Sequence, residues 1–362
     1  MYDEHPKITV ILPSYKHARW ISEAIESVLK QTYKNFELII VDDGSNDGSA
    51  ELIASYAKKD DRIKEVIFPS NKGAVIAMRT AYEMSNAEYI ALINSDDIWE
   101  HDKLEKQLQV FEENSNIDIV FSQASFIDEN GNTVKHKSEF LPSSNLQSRA
   151  EWMNYFFTVS NCICHPSILI KRKCYEEQGF YSSVLRTLPD LDMWVRLFWH
   201  YDVFVSDECL IKFRKHLFNE SHPSNFANLI RYRVEYKIIL KNFIKQISNC
   251  KDLEDIFPEY KSIIKIKDDR LTPFYIAMIA LKQEIDAFDD FAIDTLYEEL
   301  AKEEILDLVE KHNLFSPVEL SNLVASKNPY KLFVEDSALK IFMLFLKKVG
   351  KSLRSKLRFF RL

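Results

Sequence analysis

The chain has 362 residues, with 46% hydrophobic, 13% aromatic and 28% charged, enough apolar material to bury a substantial core and too much for a disordered chain. Its net charge of −8 argues against a nucleic-acid-binding surface, although the charge is uneven: residues 340–362 hold eight Lys/Arg and no acid. Only six glycines occur, and no G-x-G-x-x-G or G-x-x-x-x-G-K-[ST] run exists, which excludes a conventional nicotinamide dehydrogenase and a P-loop ATPase.

From the N-terminus, two periods alternate. Ile8–Pro13 (ITVILP) is an apolar, β-branched run suited to a strand covered on both faces, and residues 18–31 place Ile21, Ala24, Ile25, Val28 and Leu29 at helical spacing. Strand Phe36–Val41, helix 47–58, strand Ile63–Phe68, helix 73–85, strand Tyr89–Asn94, helix 101–114 and strand Ile117–Ser122 follow. This repetition predicts an α/β architecture, a mostly parallel sheet with helices on both faces. Residues 123–227 are less regular: strand His165–Lys171, helix 173–178, helix Asp190–Trp199 and strand Val203–Phe213. From about 228 the pattern is helical. The expected organisation is therefore a catalytic domain 1–227, a helical region 228–339 and a basic tail 340–362.

The five cysteines, Cys162, Cys164, Cys174, Cys209 and Cys250, are odd in number and contain no C-x-x-C pair, so neither a disulfide framework nor a zinc site is expected. The opening MYDEHPKITV lacks a secretory pattern, and no run approaches the ~20 apolar residues that span a bilayer. A cytoplasmic protein is expected. The tail, KIFMLFLKKVGKSLRSKLRFFRL, has the composition of a basic amphipathic segment, which points to peripheral attachment on an anionic inner membrane face. Packing of that tail on the acidic helical region is the competing explanation.

Ligands bind beyond the carboxyl ends of strands in an open parallel sheet. Three polar clusters directly follow predicted strands: Pro13-Ser14-Tyr15, Asp42-Asp43-Gly44-Ser45 and Ser95-Asp96-Asp97. Adjacent carboxylates repel unless something positive lies between them, and a hard divalent cation carrying substrate phosphates meets that need. Strand termination and helix capping by Asp and Gly would account for any one cluster, but poorly for three at one edge.

The run ITVILPSYKHARWISEAIESVLKQTYKNFELIIVDDGSNDGSAELI resembles the opening of family 2 glycosyltransferases of the GT-A fold. The resemblance continues through SNKG, YIALINSDDIWEHDKL, HPSILIKRK, LPDLDMWVRL and IKFRKH, over roughly residues 7–220. It implies that Pro13, Tyr15 and Asp42 hold the donor's nucleobase and ribose, and that Asp96 and Asp97 match a D-x-D-like motif. In that match Asp97 is the direct ligand of a divalent cation, Mn²⁺ or Mg²⁺, and Asp96 faces the donor sugar or ribose. Asp190 falls at the position of the general base, with an N-cap role as its competitor and Asp192 second in rank. Pro189 stands where the family commonly has glutamate. His216 matches a metal or phosphate contact and His165 a position between acceptor and donor pyrophosphate. After SNKG the family's usual arginine position holds Met78, leaving Lys72 or Arg79 as the basic nucleotide contact. The implied activity is inverting, metal-dependent transfer of a hexosyl or N-acetylhexosaminyl unit. The donor would be a nucleoside-diphosphate sugar, UDP-linked, and the acceptor a hydroxyl of a surface glycan, free or lipid-linked. Two rivals are a nucleotidyltransferase of related fold, against which the absence of glycine in Pro13–His17 speaks, and a non-enzymatic doubly wound nucleotide-binding domain.

Overall fold

A computed structural model describes residues 6–134, 148–159, 161–216 and 226–327 of the chain. The elements run β1 (Ile8–Ser14), α1 (Ile21–Leu29), β2 (Phe36–Asp42), α2 (Ser49–Ala57), β3 (Ile63–Ile67), α3 (Ala74–Glu83), β4 (Tyr89–Leu92), β5 (Ile98–Trp99), α4 (Lys103–Glu113) and β6 (Ile117–Ile127). Then come α5 (Arg149–Thr158), β7 (Leu169–Lys171), α6 (Arg172–Gln178), α7 (Pro189–Phe198) and β8 (Asp202–Arg214). The helices α8 (Phe226–Gln246), α9 (Cys250–Ile256), α10 (Thr272–Ala280), α11 (Asp286–Leu300), α12 (Glu303–Lys311) and α13 (Pro317–Lys327) complete the described chain.

One eight-stranded sheet has the order β3-β2-β1-β4-β7-β6-β8-β5. The block β3-β2-β1-β4 is parallel, as the strand–helix alternation predicts. Every residue of β2 is buried, and Ile8, Val10, Ile11 and Leu12 of β1 are inaccessible, because helices cover both faces and no solvent side remains for polar alternation. At the edge, β3 exposes Lys64, Glu65 and Ile67, and charge on an edge strand discourages pairing with a second sheet.

Beyond β4 the sheet becomes mixed. β7 runs antiparallel to both β4 and β6, β6 is parallel to β8, and β5 is antiparallel to β8. The right-handed crossover rule fixes direction only where a helix links neighbouring parallel strands. β6 and β7 are neighbours separated by α5 and a long connection, so sequence periodicity carried no directional signal there.

Helix α5 is absent from the sequence reading. Its signature is nonetheless local: Ser148 accepts the Glu151 N–H while Glu151 accepts the Ser148 N–H, a capping box in S-x-x-E spacing.

The chain divides into two compact units between Ile279 and Ala280. Within the first, α8 packs on α7 and α9 on α5. In the second, Phe288, Phe291, Ala292 and Leu296 of α11 form the buried stripe, with Ile305 and Val309 of α12 also buried.

Candidate active site

The strand ends expected to converge do so. Ser14 and Asp42 are register partners at the ends of β1 and β2, and the Asp43 N–H donates to the Ser14 carbonyl at 2.8 Å. The buried Asp42 carboxylate accepts the N–H of Ser45 at 2.8 Å and its hydroxyl at 2.7 Å. Asp43 accepts the N–H groups of Lys72 and Gly73 at 2.6 and 2.8 Å, joining the SNKG segment to the same edge. Gly44 is required between them: its φ is +76°, and a Cβ would lie 2.6 Å from the Ser70 carbonyl carbon. Pro13 is half-buried, whereas Tyr15 presents 40% of its surface to solvent, an aromatic face beside a buried carboxylate. Lys16 turns the chain at φ +55° and donates its N–H to Ser45 Oγ at 2.8 Å.

The two aspartates after β4 are held differently. Asp96 Oδ2 lies 2.9 Å from His216 Nε2. Asp96, His216 and His17 form a cluster whose ligand atoms lie within 4.8 Å of one another, and it is the one cluster of metal-ligating side chains among the described residues. Asp97 is outside it. Its Oδ1 accepts the Arg214 N–H and its Oδ2 the Asn94 side-chain amide, each at 2.9 Å, and burial together with the neighbouring Asp96 charge raises its pKa well above the ordinary carboxylate value.

One carboxylate and two imidazoles suit a divalent transition metal, and the surroundings orient the rings for that purpose. His17 Nδ1 pairs with Ser95 Oγ at 2.7 Å, as metal-bound imidazoles commonly use their second nitrogen, and Trp20 stacks on His216 with centroids 4.4 Å apart. Burial lowers the His17 pKa, which favours the neutral, ligating form. The residues present therefore fit such an ion; two nitrogen donors favour manganese over magnesium, which prefers an all-oxygen shell. His17 was not singled out from the sequence, although it lies two residues beyond Tyr15 at the same strand end.

Arg214 was also missed. Its wholly buried guanidinium donates to the Asp96 carbonyl at 2.7 Å, to the Asp128 and Glu129 carbonyls at 3.1 and 3.3 Å, and to Glu23 at 2.7 Å.

Asp190 occupies the second position of α7, after Pro189, and its Oδ2 accepts the Asn161 side-chain amide at 2.6 Å while Oδ1 accepts the Leu191 N–H at 2.9 Å. These two donors leave other carboxylate lone pairs open to a hydroxyl proton. His165 belongs to the same neighbourhood: its Nε2 pairs with the Tyr181 hydroxyl at 3.0 Å, and burial lowers its pKa against the opposing Asp190 charge. Asp192 serves the scaffold, paired with Arg196 at 3.0 Å and accepting the Asn242 amide at 2.5 Å. Arg79 donates to the Tyr181 carbonyl at 2.7 Å, on the Asp190 side of the site, and the Lys72 ammonium lies 4.4 Å above the Phe68 ring.

Comparison with known proteins yields a consistent picture. The model of the family described as glycosyl transferase family 2 matches residues 9–178. An uncharacterized glycosyltransferase of Methanocaldococcus jannaschii is 34% identical over 214 residues, 58% of this chain and 71% of that one. A putative teichuronic acid biosynthesis glycosyltransferase of Bacillus subtilis is 33% identical over 225 residues, covering 61% and 82%. Among solved structures, S. aureus TarS 1-349 in complex with UDP-GlcNAc superposes with a TM-score of 0.54 at 17% identity, covering 90% of this chain and 91% of that one. The Pyrobaculum calidifontis mannosyltransferase in complex with GDP-Man and Mn²⁺ gives 0.51 at 16% identity, covering 91% and 88%.

Proposed function

We infer that this chain, which belongs to glycosyl transferase family 2 and has the GT-A fold, moves a sugar from a UDP-linked donor to a hydroxyl of a growing surface glycan, with inversion at the anomeric carbon. The observation that carries this reading is the Asp96–His216–His17 cluster at the sheet edge that also holds the Asp42 turn. Asp190 supplies a separate carboxylate with no basic side chain bonded to it among the described residues. In this reading residues 1–227 carry the chemistry and residues 228–339 are a helical region.

In this mechanism the Tyr15 ring covers one face of the nucleobase beside Pro13, and Asp42 accepts a base or ribose donor. The Asp190 carboxylate accepts the proton of the acceptor hydroxyl as that oxygen bonds to the anomeric carbon. The bond from that carbon to the phosphate oxygen breaks, and its electron pair leaves with the nucleoside diphosphate. Attack opposite the leaving group inverts the configuration. Asp96, His216 and His17 would hold a divalent cation, which would supply positive charge to the diphosphate. Asp97 and Arg214 fix the loop that presents Asp96, which moves the ligand role from Asp97, the sequence-based candidate, to its neighbour.

The names of the relatives favour a hexosyl or N-acetylhexosaminyl donor and an anionic cell-surface polysaccharide as product. Thermal unfolding with UDP, with and without Mn²⁺ or Mg²⁺, tests the donor class, since a ligand of the native state raises its stability. Donor hydrolysis across a panel of UDP-, GDP- and dTDP-sugars then identifies the sugar. Stabilisation by UDP that is independent of metal, or by no nucleotide, overturns the reading.

The tail at 340–362 lies outside the described residues, and no helix among the described residues is long and apolar enough to cross a membrane. Its eight basic residues and apolar anchors support contact with anionic lipid, where a lipid-linked acceptor would be met. Co-sedimentation with anionic vesicles of the full chain, but not of a chain ending at Ser337, is the expected result; both remaining in the supernatant at low salt refutes it.

A further inference from the structure

We propose that Glu235 of α8 is a positioning residue for the base Asp190, holding the backbone that leads into α7 through three consecutive N–H groups. The proposal rests on the assignment of Asp190 as base. Glu235 is buried, and its carboxylate accepts the N–H of Arg186 at 3.0 Å, of Thr187 at 2.7 Å and of Leu188 at 2.8 Å. A buried carboxylate without hydrogen-bond partners is costly, and three backbone donors on its two oxygens satisfy this one.

The location gives this contact its consequence. α7 has Leu188 at its N-cap, so no side-chain oxygen caps it, and Pro189 at the first position has no N–H. Glu235 supplies, from another helix, acceptors for the amides that lead into this helix end, whose first turn already carries the Asp190 and Asp192 carboxylates. Asp190 follows two residues after the last clamped amide. A small rotation of that first turn displaces its carboxylate, and an error near 1 Å at a reacting group costs about 10²-fold in rate.

The same helix reaches the partner of the base. Tyr236 donates its hydroxyl to the Phe156 carbonyl at 3.0 Å on α5, the helix that leads into Asn161, and Asn161 holds Asp190 Oδ2. Seven residues beyond Glu235, on the same face of α8, Asn242 donates to Asp192. α8 and α7 both lie beyond residues 9–178 matched by the family model, within the same compact unit.

The test is a double-mutant cycle in the full chain, read as UDP release from the sugar nucleotide that the donor panel selects, at a temperature where circular dichroism shows each variant folded. Glu235→Gln keeps the side-chain shape and one acceptor oxygen. It is expected to lower kcat about tenfold while leaving the Kd for UDP with Mn²⁺ within about twofold, and Glu235→Asp should restore part of the rate. In the Asp190→Asn background, Glu235→Gln should have almost no further effect, because residues acting as one unit are strongly non-additive. A full tenfold loss retained in that background, or an unchanged kcat in the single variant, overturns the proposal. Should Glu235→Gln not fold, Asn242→Ala, which loosens the same helix pair, replaces it in the cycle with the same expectation. Full activity in Asp190→Asn alone instead refutes the base assignment, which separates the two failures.

Discussion

The backbone N–H of Arg214 donates to the Asp97 carboxylate at 2.9 Å, and two residues on His216 reaches Asp96 at the same distance. The end of β8 thus delivers a cluster histidine and clamps the aspartate loop in a single step. The Arg214→Met variant loses every guanidinium hydrogen bond and leaves buried carbonyls unsatisfied. It is expected to lower stability by about 3 kcal/mol, read from the urea midpoint, and to remove Mn²⁺-dependent UDP binding. A midpoint within 0.3 M of wild type argues against the clamp.

Asp96 and Asp97 should separate by experiment. In Asp96→Asn and His216→Ala, calorimetric UDP affinity should become independent of Mn²⁺ while stability changes little. In Asp97→Asn an amide replaces an acceptor of two N–H groups, so one donor faces another donor; a stability loss of roughly 1–3 kcal/mol is expected. The reverse pattern would return the ligand role to Asp97.

Asp190→Asn keeps the shape of the side chain and removes the carboxylate proposed to accept the proton. Turnover should fall by about 10²–10⁴-fold with UDP affinity nearly unchanged. Equal losses in both quantities would show that Asp190 binds the donor rather than the acceptor proton.

Gly44→Ala places a Cβ against the Ser70 backbone at 2.6 Å and at a φ of +76°. The left-handed conformation alone costs about 1–2 kcal/mol, and the contact forces the Asp42–Ser45 turn from the 68–73 segment. Lower thermal stability and weaker UDP binding should appear together; wild-type UDP affinity would mean that this turn does not shape the nucleotide site.

Lys103 begins α4 fully buried, with its ammonium 2.6 Å from Gln107 Oε1 and 4.1 Å above the Trp99 ring, and burial pushes its pKa down to about 7. The unfolded chain holds this proton up to about pH 10, so between pH 7 and 9 the unfolded state binds more protons and the Lys103 contribution to stability rises with pH. The stability difference between wild type and Lys103→Met should shift by about 2 kcal/mol in favour of wild type over that interval. Parallel urea midpoints at pH 7 and 9 would show that Lys103 does not titrate there.

Local order was legible in the sequence because it is written locally. Buried parallel strands appear as unbroken runs such as ITVILP and FELIIV, and the polar residues ending them, Ser14, Asp42 and Asp96, had to meet at one edge once those strands were parallel. Asp190 became a candidate through the resemblance rather than through local periodicity, and Asp192 beside it turns to Arg196 and Asn242. The antiparallel insertion of β7, the His17–Asp96–His216 meeting, the Arg214 clamp and the Glu235 cradle were not legible. Asp96 and His216 are 120 residues apart, and Glu235 grips amides 47–49 residues before it. Periodicity reports which face of an element is apolar, a property of neighbours three or four residues apart. Which buried carboxylate receives which distant donor is decided when helices and strands pack, because only there does an unsatisfied charge meet the groups that can satisfy it.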